Sequence, residues 1–218
     1  MNYAAFWEAH AIIDGTNRLS LLEAANADSG RFNAEEVGIL DAAKSILAKF
    51  DSGEINTTKL EMRSRLLTAS ISKIITTNKK TKTQSVSNTV FGSVSCVVRG
   101  ASADELVAYH MDFKSLLFQK HEYNKDTVEK RILENFNGHH AVFYFKVSLP
   151  HPFQCRDFVL SFVSQKLSAT QQICVLYPTN HKGAEPSLGT VRGESTRVFR
   201  FTEINKAKKV TKFELFFR

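Results

Sequence analysis

The 218-residue sequence predicts an α+β protein in which helices precede and interrupt one antiparallel sheet, and three observations carry that prediction. Helical spacing of apolar residues is confined to the first quarter of the chain and to one interior segment. Beyond about Asp126 the pattern is alternating and β-branched almost to the last residue. Strands and helices do not take turns, and neither GxGxxG nor GxxxxGKS/T occurs, which excludes a doubly wound nucleotide fold.

Residues 3–27 are rich in Ala and Leu and hold the single tryptophan, Trp7, with Gly15 and Thr16 dividing them into two helical pieces. Asn33 and Glu36 form a capping-box pair; Ile39, Leu40, Ala43, Ile46, Leu47 and Phe50 follow at helical spacing, up to a stop at Gly53. Residues 68–75 and 90–99 read as strands around a lysine-rich turn over 78–82. Ser102 and Glu105 repeat the capping box, and Leu106, Tyr109, His110 and Phe113 fall on one helical face. Strands are predicted over 127–134, 141–147, 158–165, 173–177, 190–201 and 210–217, with a hairpin signal at Asn137 and Gly138. The expected division is a helical segment over 1–56 and a sheet domain over 57–218.

The apolar fraction is 43%. No run approaches the roughly 20 residues needed to span a bilayer, and the first residues lack a basic region, so neither a signal peptide nor a membrane span is expected. Cys96, Cys155 and Cys174 are an odd, widely spaced set, pointing to a reducing compartment such as the cytosol. The net charge of +7 includes clusters at Lys79, Lys80 and Lys82 and at Lys206, Lys208, Lys209 and Lys212. Charge alone admits an anionic membrane surface or nucleic acid. The sequence holds no helix-turn-helix, zinc or RNP-type signature, so nucleic acid is set aside.

No GxSxG elbow, HExxH motif or ligand-like Cys and His spacing is present. His139 and His140 fall in a predicted turn and are expected to face solvent. Arg156 and Asp157 are strand neighbours that point to opposite faces, so they cannot line one pocket together. No catalytic residue, metal or cofactor is therefore assigned.

Residues 128–163 give a strand, a polar turn over 135–140, an aromatic strand and the proline-bearing stretch 149–153, followed by Arg156, Asp157, Phe158 and Val159. Residues 97–109 join a strand to a capped helix, and Val191, Arg192, Gly193 and Glu194 form a late-strand motif. In order and spacing these segments resemble the START (steroidogenic acute regulatory protein-related lipid transfer) family, including START-like segments found inside large multidomain proteins of algae and other protists. The resemblance implies a helix-grip fold, with a curved antiparallel sheet around a long C-terminal helix and a lipid-sized cavity between them. The sequence stops at Phe216, Phe217 and Arg218, within or just after the last strand, so the expectation is a grip lacking its C-terminal helix.

On that resemblance the cavity face follows from alternation. Arg156, Phe158, Leu160 and Phe162 share one side of their strand, as do Phe143 and Phe145 on the preceding one, and Phe213 and Leu215 on the last; these eight are the expected lipid-binding residues. Sterol-type members carry a buried basic residue at the position of Phe162, so that feature does not transfer. Residues 179–189, long and polar with Gly183, Pro186 and Gly189, are the expected gate. The implied function is non-enzymatic lipid binding, transfer or sensing by a cytosolic protein that touches membranes transiently. The alternative is a START-derived interaction or regulatory module without a working cavity.

Overall fold

The computed structural model describes residues 32–55, 58–60, 67–77, 84–111, 127–186 and 188–218, with residues 58–60, 67–77, 84–89, 127 and 128 described by backbone alone. The expectations for residues 3–27, for Lys79, Lys80 and Lys82 and for Phe113 lie outside these residues.

Helix α1 (Ala34–Asp51) starts where its capping box requires. Asn33 Oδ1 accepts from the Glu36 amide at 2.9 Å, and the Glu36 carboxylate accepts from the Asn33 amide at 2.8 Å. Helix α2 (Ala103–Met111) repeats the device with Ser102 and Glu105. Ten strands are described: β1 (Thr58–Leu60), β2 (Leu67–Thr77), β3 (Gln84–Arg99), β4 (Thr127–Asn135), β5 (His140–Val147), β6 (Cys155–Lys166), β7 (Gln171–Pro178), β8 (Thr190–Arg192), β9 (Arg197–Asn205) and β10 (Val210–Phe217). They form one sheet in the order β1-β2-β3-β10-β9-β7-β6-β5-β4, with β8 beside β6.

The strand expected over 190–201 is two strands. Its first part, β8, pairs parallel to β6, whereas β9 pairs antiparallel to β7 and β10. Gly193 sits at the break, where the Phe158 ring crosses its Cα so closely that a Cβ would overlap it.

The helices lie on opposite faces of the sheet. On one side of α1, Ile39, Leu40, Ala43, Ile46 and Leu47 pack with Val163 of β6, Ile173 and Val175 of β7, Val198 of β9 and Phe216 of β10. Each such side chain contributes about 1.5–3 kcal/mol on burial. This core crosses the expected division at residue 56, tying α1 to the sheet. Leu106, Val107 and Ala108 of α2 pack on the other face, against Val98, Ala141, Phe143, Phe162, Cys174, Phe199 and Phe201.

Candidate functional site

Strand register gathers the aromatic residues on the α2 face. Phe143 pairs with Leu160 and Phe145 with Phe158 across β5 and β6. Phe199 lies between Cys174 and Leu215, and Phe201 beside Phe213. The Phe143 and Phe162 ring centroids are 5.6 Å apart, and the Phe145 and Phe158 rings stack at 4.7 Å and 16°. Seven of the eight expected residues, all but Arg156, are thus buried or half-buried on one face.

Helix α2 covers only one end of this face. There His110 sits among Phe199, Phe201 and Phe213, with ring centroids 4.9, 5.4 and 5.9 Å away, and its Nδ1 donates to the Leu106 carbonyl at 2.8 Å. Burial pushes His110 below its ordinary pKa, with the Leu106 bond acting the other way. Away from α2, Phe145, Phe158, Leu176, Leu215 and Phe217 are only half-buried on the same face.

Two basic residues that the sequence did not single out share that face. Arg197 alternates with Phe199 and Phe201 along β9, so its side chain joins the aromatic face; its Cζ lies 5.8 Å from the Phe145 centroid and 5.9 Å from that of Phe158. Among the described residues no carboxylate pairs with it, and burial pulls its pKa below the ordinary guanidinium value. Cation–π contact offers about 0.5–2 kcal/mol, against several kcal/mol for desolvating a charge. Lys130 stands opposite Phe145, and burial lowers its pKa to about 8. The available signal was a single charge set into an apolar alternation.

The two family-like motifs clasp one another. Asp157, fully buried, accepts from Arg192 Nε at 2.8 Å and Nη2 at 3.3 Å, and its carbonyl accepts from the Gly193 amide at 2.8 Å. Arg192 also donates to the Ala184 carbonyl at 2.5 Å. Asp157 points away from Arg156, which is exposed at the end of β6. Within the expected gate over 179–189 the middle is tied to the α1 face: Ala184 packs with Val142, Tyr144 and Val159, and Arg131 donates to the Gly183 carbonyl at 3.0 Å, whereas Leu188 is fully exposed. The Arg192 anchor draws the segment to that side.

His139 and His140 do not face solvent. They are 3% and 1% exposed, because the N-terminus of α1 closes over the turn. Glu36 Oε1 accepts from Asn137 Nδ2 and from His140 Nδ1, both at 3.0 Å, with His139 Nε2 at 3.5 Å; His140 Nε2 lies 2.7 Å from Ser161 Oγ. Burial alone would raise the Glu36 carboxyl, but Asn33, Asn137 and the histidines hold it below the ordinary value. The hydroxyl–imidazole–carboxylate line resembles a hydrolase relay in chemistry. Ser161 is 0% exposed beneath α1, however, so this relay is a packed anchor that no substrate reaches.

Sheet order, helix placement and aromatic face together define a START-like fold, with the curved antiparallel sheet of the helix-grip architecture. Human StAR-related lipid transfer protein 5 is similar at 12% identity and a TM-score of 0.60, over 85% of this chain and 82% of that one. The human StarD13 (DLC2) lipid transfer and protein localization domain matches at 12% and 0.55, over 80% of each chain. Human STARD10 matches at 13% and 0.57 over 77% of this chain, which spans 64% of the STARD10 chain. No protein-family model matches the sequence, and no curated protein does.

Proposed function

We propose that this chain is a non-enzymatic lipid-binding module that holds an acyl chain or comparable apolar body in the α2-face groove. The observation that carries this reading is the placement of α1. It packs on the opposite face and leaves Phe145, Phe158, Leu176, Leu215 and Phe217 half-buried on the other. The interaction-module alternative would gain from a helix within residues 2–52 filling the aromatic side; α1, the described part of that span, lies on the other face. The lipid-transfer names of the similar structures support the same reading.

The rim of the groove has the character of a membrane contact. Parallel pairing of Cys155 with Thr190 and Arg156 with Val191 sets the turn before β6 beside residues 188–191. Phe153 is 66% exposed there, Leu188 fully exposed, and Arg156 and Val191 exposed beside them. Apolar tips flanked by a cation suit an anionic bilayer surface. Free Cys96, Cys155 and Cys174 agree with a cytosolic setting.

The test is native mass spectrometry of the gently purified chain, with Phe158→Asp as comparison. We expect copurifying lipid on the wild type and its loss from the variant. A well-folded monomer that never carries lipid, even after incubation with vesicles, sinks the reading.

A further inference from the structure

We propose that Arg197 is the acid-recognition point of the groove, so that the bound amphiphile carries a phosphate or carboxylate headgroup. This rests on the lipid-binding reading of the same face.

The case begins with how arginines are used in this molecule. Arg192 and Arg200 are partly buried, and each is matched to acid: Arg192 with Asp157, and Arg200 with Asp51 and Glu214 through three contacts of 2.8–3.0 Å. Arg197 is set as deep, yet it faces the stacked rings of Phe145 and Phe158 and no carboxylate among the described residues. A guanidinium stays charged at any physiological pH and offers five donors with no acceptor. Ring faces satisfy its charge in part and its N–H groups hardly at all. A two-oxygen anion fits what remains, because it accepts two parallel N–H bonds from one fork.

The surroundings favour an anion attached to an apolar body. Arg197 pairs with Leu176 and Phe217 on its neighbouring strands, so apolar surface flanks the charge on both sides. Lys130, opposite Phe145, adds a second basic residue to this face. Apolar transfer by itself does not select such a ligand. About sixteen methylenes leave water as readily for a bilayer as for a groove, so the headgroup contact decides.

The experiment compares dioleoyl phosphatidic acid with dioleoylglycerol, which share acyl chains and differ by the phosphate, each offered to the full chain in phosphatidylcholine vesicles. Loading is read by native mass spectrometry. We expect the wild type to take phosphatidic acid at least roughly tenfold over dioleoylglycerol. Arg197→Leu should bring the ratio near one, and Arg197→Lys should fall between. Equal loading of both lipids by the wild type overturns the proposal while leaving lipid binding intact. Failure of both lipids to load overturns the two together. Thermal stabilisation by inorganic phosphate equal to that by phosphatidic acid, and lost in Arg197→Leu, overturns the headgroup assignment in favour of a free anion. The wild-type comparison needs no variant, so a poorly folding Arg197→Leu leaves the proposal open to refutation.

Discussion

At the scale of single residues, buried charge is most consequential where one partner has no substitute. Asp157 is fully buried and meets Arg192 through both carboxylate oxygens. Removing the acid leaves the partly buried Arg192 guanidinium with only the Ala184 carbonyl, so Asp157→Ala should destabilise the protein by roughly 3 kcal/mol in urea melts. A cost under about 1 kcal/mol would mean that Arg192 finds another acceptor. The alternation of Phe158, Leu160 and Phe162 against Asp157, Val159 and Ser161 was legible in the sequence because side-chain direction has a period of two. Arg197 was equally visible as a letter. Its meaning was not, because the lack of an acidic partner among the described residues becomes a property only after folding decides which carboxylates come near.

At the scale of elements, α1 is fastened at both ends: by Glu36 to Asn137 and His140, and by Asp51 to Arg200 at 2.8 and 3.0 Å. Glu36→Ala removes the capping box and leaves three polar groups without their acceptor. We expect a loss of roughly 2–4 kcal/mol and faster amide exchange in the first turns of α1, with β5 and β6 protected as before. Unchanged exchange in α1 would contradict an anchoring role. The helix and its cap were legible from spacing; the burial of His139 and His140 was not, because the carboxylate that covers them lies about a hundred positions earlier. The placement of residues 179–189 escaped for the same reason. Composition marks a loop as long and polar, whereas the side it lies on is set by Arg192 reaching Asp157 and Ala184.

For the whole molecule, both pKa directions weaken folding in acid. His110 is held below 6.5, so between its folded value and 6.5 the unfolded chain binds a proton that the folded chain refuses; stability is full above pH 6.5 and falls below it. Glu36, Glu105 and Glu214 are held below 4.5, and their stabilisation is full above that pH and lost as pH drops further. Urea midpoints should therefore decline in two stages, with His110→Phe removing the upper one; a flat profile from pH 7.5 to 5.5 would contradict the burial of His110. The rim offers a second global test. Phe153→Ser with Leu188→Ser should weaken sedimentation with anionic vesicles by about tenfold while leaving urea midpoints unchanged, since neither side chain is buried. The sheet itself bears on self-association. It runs from β1 to β4 without closing, so each outer strand has a backbone edge with no partner among the described residues. One outer strand, β1, is only three residues long. The other, β4, displays exposed Glu129, Arg131 and Glu134 and turns Lys130 inward, and charged side chains on an outer strand are a device that discourages edge-to-edge pairing between copies.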